Sequence, residues 1–337
     1  SDPYYDSAWH LAKIGIEAAW VNGQGAQITV AIVDSGIDDS HPDLAGKVVN
    51  GYNSVSGSSA TSDVAGHGTQ VAGVVAAVTD NGLGVASIAR AADLMPIRVT
   101  DRSDGYAYFS DIAEGLIWAA DNGARVANIS YDVGSSSTVS NAAQYMKDRG
   151  GVVFHAAGNS GTENGYVSRD SHIAVGATDR DDLKASFSST GQYLDISAPG
   201  VGIWSTSRGG GFGAVSGTSF SSPAAAAVAA LVLSVAPGLN PDEVEATLES
   251  TAVDLGATGW DKSYGHGRID AAAAVDLATR ISTENDTTPP ISMITAPTGG
   301  ASVSGIVPVD ITATDDFGVT RVELYVNDIL VAIDSNA

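Results

Sequence analysis

Apolar runs alternate with helix-like segments along the first 280 residues of the chain. The strand-like runs are short and rich in β-branched residues, which is typical of strands covered on both faces of a sheet. They occupy residues 28–33, 94–99, 125–129, 152–154 and 173–175, and the helix-like segments occupy residues 111–122, 140–149 and the apolar stretch after Pro223. This alternation predicts an α/β fold in three layers, with a mostly parallel central sheet between two layers of helices.

The pattern changes near residue 283, where the chain becomes polar and reaches the pair Pro289-Pro290. A polar segment with two prolines is typical of a linker, which we place at residues 283–290. Beyond it apolar and polar residues alternate with period two, and Asn327-Asp328 supplies a turn between two such runs. We therefore predict an α/β domain over residues 1–282 and a partial all-β segment over residues 291–337. That segment resembles the opening half of a bacterial immunoglobulin-like module of roughly 100 residues, so we expect it to be truncated.

The chain carries 16 basic and 39 acidic residues, for a net charge of −23, and it has no cysteine. Scattered negative charge disfavours binding to nucleic acid and to anionic membranes, so we expect neither as a partner. A chain without cysteine has no disulfides, so its stability comes from packing and from bound ions. The chain begins at Ser1 without a basic-then-apolar leader and contains no apolar run of about 18 residues, as a membrane span would need. We therefore predict no membrane span.

Three polar residues stand where strand-like or helix-like runs begin or end. Asp34 follows the apolar run 28–33, at the carboxyl end of a central strand, where open α/β sheets place their sites. His67 lies between glycines before a small-residue helix, and Ser219 lies on a glycine-led turn before an apolar helix, whose free N–H groups favour developing negative charge. We place Pro223 near the first turn of that helix, where it loses no hydrogen bond.

Each of these residues, taken alone, is more often structural: a serine in such a place commonly caps a helix. Together, Asp34, His67 and Ser219 supply an orienting acid, a general base and a nucleophile. Their order along the chain, Asp…His…Ser, is one of the known orders of a catalytic triad.

The motifs around these residues resemble those of the subtilisin-like serine proteases, the subtilases. Asp34 stands in a DSG box, His67 in HGT and Ser219 in GTSxxSP, and the order of segments agrees from residue 1 to about residue 282. A fourth match is the segment AAGN, which ends at Asn159. The resemblance implies a subtilisin-like fold and a secreted, extracellular serine endopeptidase, a monomer inhibited by its own pro-segment before maturation. It also implies that the Asn159 amide donates to the oxyanion.

The same resemblance implies where a protein or peptide substrate binds, as a β-strand added between segments of the enzyme. The matching positions are Ser130, Tyr131, Asp132, Val133, Asp104, Gly105, Tyr106, Ala157 and Gly158. This chain departs from the family at Asp132 and Val133, where glycines are usual. If the Asp132 carboxylate points inward, it should favour a basic substrate side chain; if it points outward, it is a solvated surface acid.

A structural calcium ion is the expected cofactor. The resemblance to a calcium-binding loop of the family covers residues 78–85. Carboxylates, carbonyls and one amide would supply an oxygen-only ligand set, which suits a hard cation. The ligands so implied are Asp2, Asp43, Val78, Asn81, Leu83 and Val85.

Two other classes of function remain as alternatives. A catalytically inactive subtilase-like scaffold for adhesion or binding would use the all-β segment as its binder, but the intact triad and Asn159 argue against it. An α/β-hydrolase esterase would need the motif G-x-S-x-G and the order Ser…Asp…His, and this chain has neither around Ser219.

Overall fold

The apolar runs of the first 280 residues form a parallel sheet in the computed structural model, which describes residues 2–285, 289–315, 319, 321–327 and 329–334. Its strands are β1 (Thr29–Asp34), β2 (Tyr52–Asn53), β3 (Asp93–Arg98), β4 (Val126–Ile129), β5 (Val152–Ala156), β6 (Ile173–Thr178) and β7 (Ile196–Pro199). Their spatial order is β2-β3-β1-β4-β5-β6-β7, and every neighbouring pair is parallel. The five predicted strands are confirmed, and the short edge strands β2 and β7 are additional.

The register of the sheet determines where functional residues meet. Val33 of β1 lies opposite Ile97 of β3 on one side and Ile129 of β4 on the other. Ile129 in turn lies opposite His155 of β5. Because these strands are parallel, their carboxyl ends reach the same edge of the sheet, and the loops that follow them lie side by side.

Helices cover both faces of this sheet. They are α1 (Trp9–Lys13), α2 (Ile16–Ala19), α3 (His67–Ala76), α4 (Phe109–Asp121), α5 (Ser137–Lys147), α6 (Thr218–Val235), α7 (Pro241–Thr251) and α8 (Ala271–Asn285). Helices α4 and α5 pack together on one face, and α3 and α6 pack together against the other. The predicted three-layer α/β architecture is therefore confirmed.

Helix α6 is apolar on all sides because it runs through the core. Among the described residues it is long and apolar enough to cross a membrane, but 83% of it is buried inside the protein. The prediction that Pro223 lies near its first turn is wrong, because α6 begins at Thr218 and Pro223 lies well inside it. A proline there leaves the Ser219 carbonyl, four residues earlier, without its helical donor. The Ser130 hydroxyl donates to that carbonyl instead, at 3.0 Å.

An antiparallel hairpin, β8 (Ile203–Ser207) with β9 (Gly211–Val215), precedes α6. The chain divides into one compact unit over Ser1–Thr279 and a second over Arg280–Ala337. In the second unit α8 continues to Asn285, so the first residues of the predicted linker are helical, and residues 286–288 lie outside the described residues.

The rest of the second unit is all-β, as predicted. It contains β10 (Ile291–Ala296), β11 (Asp310–Thr314), β12 (Val322–Val326) and β13 (Ile329–Asp334). Strand β10 pairs with β11, and β12 pairs with β13, both antiparallel. The predicted turn at Asn327-Asp328 falls between β12 and β13, although Asp328 itself lies outside the described residues.

Candidate active site

Asp34 and His67 meet at the carboxyl edge of the sheet. Asp34 is the last residue of β1 and is fully buried, and His67 is the first residue of α3. The His67 Nδ1 atom lies 2.9 Å from both carboxylate oxygens of Asp34. A Cβ atom on Gly68 would lie only 2.1 Å from the Gly36 carbonyl oxygen, so glycine is required where α3 approaches the end of β1 this closely.

The charge of His67 depends on its acidic neighbours. Burial works against the imidazolium, but the charge of Asp34, its hydrogen bond and the charge of Asp63 outweigh burial and raise the pKa of His67. The hydrogen bond at Nδ1 leaves Nε2 as the atom that exchanges a proton with a substrate or a nucleophile. The His67 side chain is 33% exposed, so it is accessible from the surface.

A buried carboxylate that the motif analysis missed, Asp63, holds the start of α3. One of its oxygens accepts hydrogen bonds from Gly66 N (2.7 Å) and from the hydroxyl of Ser35 (2.7 Å), the residue after Asp34. The other accepts from the backbone and the hydroxyl of Thr69. An acid four residues before a helix-opening histidine is a signal that helix capping would have detected. Asp63 therefore joins the end of β1 to the start of α3.

Ser219 is the second residue of α6 and lies beside the loop after β4. Its hydroxyl donates to the Ser130 carbonyl at 3.3 Å, and no hydrogen bond joins it to His67 within the described part of the chain. The next residue, Phe220, has its ring centroid 5.6 Å from that of His67, so the two elements are in contact here. Active-site hydrogen bonds are often loose before a substrate binds.

Asn159 is held in one orientation by Thr218, the residue before Ser219. The amide oxygen of Asn159 accepts from the Thr218 backbone N–H (2.9 Å) and from its hydroxyl (3.0 Å). A backbone N–H requires an acceptor, so the oxygen and nitrogen of this amide are unambiguous. The NH₂ group is the free end of an exposed side chain, so it remains available as a donor.

A cleft of about 280 Å³ opens beside these residues. Its walls are the loop before α4 and the loop after β4, which contain two of the predicted substrate-binding segments. The Tyr131 hydroxyl donates to the Gly105 carbonyl at 2.9 Å and joins the two walls. Asp104 pairs with Arg102, whose hydrogen bond and charge lower the pKa of Asp104 to about 2. The lining residues are Ala65, His67, Ser103, Asp104, Gly105, Ser130 and Tyr131.

The remaining predicted substrate-binding residues occupy different environments. Tyr106 is 58% exposed, so its ring is accessible. The Val133 side chain is fully buried in the core beneath α4 and α5, so only its backbone is available to a peptide. The Ala157 carbonyl accepts from the Tyr193 hydroxyl at 2.6 Å, and Gly158 N donates to the Thr218 hydroxyl at 3.3 Å.

The residues predicted to bind calcium come together around two buried carboxylates. Asp2 accepts from the backbone N–H groups of Asp80 and Gly82, at 2.8 and 3.1 Å. Asp43 accepts from the Asn81 side chain (2.7 Å) and from Val85 N (2.9 Å).

The carbonyl of Asp43 also accepts from Val78 N, at 2.7 Å. Burial raises the pKa of Asp43, and the nearby Asp2 charge raises it further. Within the described residues neither carboxylate pairs with a basic side chain. Two buried acids in contact with one loop are a donor set that fits a hard cation, although Leu83 enters these contacts only through its N–H bond to Asn81.

A second group of acids, on α7 and before β7, was not predicted to have any role. Carboxylate oxygens of Asp195, Glu245 and Glu249 lie within 4.8 Å of one another. Burial, followed by the charge of neighbouring acids, raises the pKa of Glu245 to about 7 and that of Asp195 well above its ordinary value. These acids lie close together within the first unit. We therefore expect their titration to change the stability of the fold.

Comparison with known families and proteins agrees with this arrangement. A family model described as the subtilase family matches residues 25–267, and one described as a bacterial Ig domain matches residues 290–337. Thermitase from Thermoactinomyces vulgaris is 40% identical over 282 residues, which cover 82% of this chain and 98% of thermitase. Subtilisin DY from Bacillus licheniformis is 43% identical over 258 residues, 74% of this chain and 92% of that protein.

Solved structures are similar over the same part of the chain. A protease from Pseudoalteromonas arctica has a TM-score of 0.73 and 32% identity, and the match covers 82% of this chain and 98% of that one. Fervidolysin from Fervidobacterium pennivorans has a TM-score of 0.71 and 30% identity, with 82% of this chain and 46% of that one covered. The fold predicted from the sequence is therefore the fold of these solved proteases.

Proposed function

This chain belongs to the subtilase family and is a serine endopeptidase, and from that premise we propose that Asp34, His67 and Ser219 cleave the peptide bond. In this mechanism the Ser219 oxygen attacks the peptide carbonyl while His67 takes the hydroxyl proton. His67 then gives that proton to the leaving amine, and water releases the acyl group from Ser219 by the reverse sequence. Asp34 holds the imidazole tautomer and stabilises the imidazolium.

The observation that carries this proposal is the pairing of His67 Nδ1 with the buried Asp34 carboxylate at 2.9 Å beside the first turn of α6. The 3.3 Å bond from Ser219 to the Ser130 carbonyl is long for a hydroxyl donor. Turning the hydroxyl from Ser130 to the imidazole therefore costs little. The raised pKa of His67 favours the protonated form that the leaving amine requires.

The proposed oxyanion site uses two donors, the Asn159 NH₂ group and the Ser219 backbone N–H. Thr218 fixes the Asn159 oxygen by two hydrogen bonds, so the NH₂ group is oriented before the substrate arrives. Preorganised donors stabilise the charge of the tetrahedral intermediate without further reorganisation. The free N–H groups at the start of α6 favour the same charge.

We further propose that the substrate is a protein or peptide bound as an extended strand along the cleft. The backbone of the two walls pairs with the substrate main chain, and the Tyr131–Gly105 hydrogen bond keeps the walls at a set distance. The proposed enzyme acts outside the cell as a monomer and is inhibited by its pro-segment before maturation. Its subtilisin relatives and its bacterial Ig segment support this assignment.

Calcium is proposed as a structural cofactor held by Asp2, Asp43, Asn81 and the loop carbonyls of Val78, Leu83 and Val85. Bound there, the cation would neutralise the two carboxylates and tether the N-terminal residues to the 78–85 loop. None of these residues belongs to the triad, so the ion takes no part in the chemistry.

The proposal is tested by labelling the nucleophile. A biotinylated fluorophosphonate is incubated with the protein, and the modified peptide is identified by mass spectrometry. We expect the label on Ser219, loss of casein hydrolysis on labelling, and loss of both in Ser219→Ala. Ser221→Ala is the matched control, because that hydroxyl is buried and has no hydrogen-bond partner. A label on another serine, or casein hydrolysis by Ser219→Ala, would refute the assignment.

A further inference from the structure

We infer that Asp132 makes the enzyme prefer a basic residue immediately before the cleaved bond, because its carboxylate lies in the slot that receives that side chain. This residue supplies the carbonyl that is attacked, and we call it the acyl residue. This inference rests on the proposed function, since the slot is defined by its position beside Ser219. It names the substrate class that the proposed site prefers.

The slot lies between the loop after β4 and the segment after β5. Two hydrogen bonds join Ser130 to Ser219. The Ser130 carbonyl accepts from the Ser219 hydroxyl, and the Ser130 hydroxyl donates to the Ser219 carbonyl. On the other side Gly158 is bonded to Thr218. Ser219 therefore lies at the junction of the two segments. In the proposed complex the side chain of the acyl residue, which is attached to the carbon next to the attacked carbonyl, enters the space between them.

Asp132 projects across this space. A Cβ atom on Gly158 would lie 2.8 Å from Oδ2 of Asp132, so the carboxylate reaches the opposite wall of the slot. Gly158 has a φ of 103°, a left-handed conformation that favours glycine, and its missing side chain leaves room for the acid. Asp132 is exposed at the surface, and its carboxylate is turned toward Gly158.

The charge of Asp132 is poorly compensated by the protein. Its hydrogen bonds come from neutral groups at long distances, 3.4 Å from Gly134 N and 3.5 Å from the Tyr166 hydroxyl. No ion pair to Asp132 is formed by any basic side chain among the described residues. Partial burial raises the pKa of Asp132 more than its two neutral hydrogen-bond donors lower it, which is the response of an acid without a cationic partner.

The charge of the Asp132 carboxylate is compensated only when the side chain of the acyl residue is basic. Arginine or lysine in the slot would donate charge-assisted hydrogen bonds to the Asp132 carboxylate. A large apolar side chain would have to displace the acid or bury it without a partner, which is costly. A small side chain would leave the Asp132 carboxylate in place and would form no hydrogen bond with it. The arrangement therefore favours a basic acyl residue over both alternatives.

The test compares peptides that differ only in the acyl residue, which is arginine, its uncharged isostere citrulline, phenylalanine or alanine. We expect wild type to cleave the arginine peptide with a kcat/KM about tenfold or more above that of the citrulline peptide, as one added charge-assisted bond implies. In Asp132→Asn, which keeps the shape and removes the charge, this ratio should fall to near one. In Asp132→Gly, which opens the slot, the phenylalanine peptide should gain relative to arginine.

A matched control removes one negative charge elsewhere. Asp148 is exposed and accepts a hydrogen bond from the Gln144 side chain, so Asp148→Asn should keep the wild-type ratio. As a second measurement on wild type alone, the arginine-to-citrulline ratio should fall as the pH is lowered through the titration of Asp132. That readout does not depend on the folding of any variant.

The outcomes separate this inference from the proposed function. If the fluorophosphonate labels Ser219 and all four peptides are cleaved, but the arginine-to-citrulline ratio in wild type is near one or survives in Asp132→Asn, the Asp132 inference is wrong and the proposed function stands. A preference for alanine over arginine would also overturn it. If Ser219 is not labelled and no peptide is cleaved, the proposed function and this inference fail together.

Discussion

Single residues in the candidate site act through the orientation that their neighbours impose. The Asn159 amide illustrates this, since Thr218 holds its oxygen with two hydrogen bonds and thereby aims its NH₂ group. His67 is oriented in the same way by the Asp34 carboxylate. In both cases the atom that we propose to act on the substrate is the one that the neighbour leaves free.

Replacing Asn159 by alanine should lower kcat by about 10²–10³-fold, with a smaller change in KM. This magnitude is the one known for an oxyanion donor in subtilisin, and it is adopted here by resemblance. The reason is that the lost donor acts on charge that develops only in the transition state. Steady-state kinetics on a short peptide provide the measurement.

Asn141→Ala is a suitable control for this change, because Asn141 is exposed on α5 and away from the cleft. It should keep the wild-type kcat. An Asn159→Ala enzyme whose kcat fell less than threefold would show that the amide does not contact the oxyanion.

At the scale of elements, α6 and the loop after β4 are joined because of Pro223. The proline removes one helical hydrogen bond, and the Ser130 hydroxyl replaces it at the Ser219 carbonyl. The same hydroxyl accepts from Asn128, whose amide oxygen accepts from the Ser222 hydroxyl. Ser219, the proposed nucleophile, is thus positioned by a chain of hydrogen bonds that reaches into the core as well as by its own helix.

A double-mutant cycle between Ser130→Ala and Pro223→Ala tests this joint. Ser130→Ala alone should cost about 1–3 kcal/mol of unfolding free energy, because it leaves the partly buried Ser219 carbonyl without a donor. In the Pro223→Ala background the helix regains its own N–H donor, so the cost should be smaller by about 0.5–2 kcal/mol. Urea unfolding in a Ser219→Ala background avoids self-digestion. Equal costs in both backgrounds would contradict the role given to Ser130.

The acids on α7 should make stability depend on pH. The folded-state pKa of Glu245, about 7, is above its ordinary value of 4.5, so between these values the folded state binds more protons than the unfolded state. Stability should therefore fall as pH rises from about 4.5 to 7. Glu245→Gln should raise the free energy of unfolding at pH 8 by about 1–2 kcal/mol, since the partial exposure of Glu245 weakens the effect. The charged groups that act on Glu245 are Glu249, Lys147, Asp242 and Asp170, and Asp195 adjoins it in the same cluster.

Unfolding curves in urea at pH 5 and pH 8 measure this effect. Glu114→Gln is the control, because Glu114 is exposed on α4 and far along the chain from α7, and glutamine keeps an acceptor for the Tyr52 hydroxyl. The control should show no gain that depends on pH. If Glu245→Gln gained equally at both pH values, titration of the carboxylate would not be the cause.

At the scale of the whole molecule, the proposed calcium site connects the N-terminal residues to the peptidase core. Removing calcium with excess EDTA should lower Tm, because an ion bound only by the folded state stabilises it by about 2.7 kcal/mol when its free concentration is 100 times Kd. The initial rate on a short peptide at low temperature should change little, since no proposed ligand contacts the triad.

Thermal unfolding of the labelled enzyme, with EDTA and after calcium is restored, provides the measurement. Asp43→Asn should lower Tm in calcium and make it insensitive to EDTA, whereas the exposed-site variant Asp148→Asn should keep the wild-type response. A Tm indifferent to EDTA in the wild type, or still sensitive to it in Asp43→Asn, would refute the site.

Much of the fold and part of the candidate site are predictable from the sequence, because they depend on local patterns. The β-branched run before Asp34 identifies a strand buried on both faces, and the parallel sheet follows from the alternation of such runs with helices. Glycines around His67 and before Ser219 mark the close approaches and turns at which α3 and α6 begin. These features are read over a few residues, which is the range at which propensity and periodicity act.

Only the tertiary structure decided the features that depend on contacts between distant segments. The Asp132 carboxylate lies close to Gly158, 26 residues later, because that residue has no side chain, and the donor that compensates Pro223 comes from Ser130, 93 residues earlier. The bonds of Asp63 to Ser35 and Thr69 also depend on how β1 and α3 pack. Periodicity indicates which face of an element is buried, but it contains no information about which side chain of another element lies against it. Close packing and the need to pair buried polar groups make that choice, and they act only in the assembled fold.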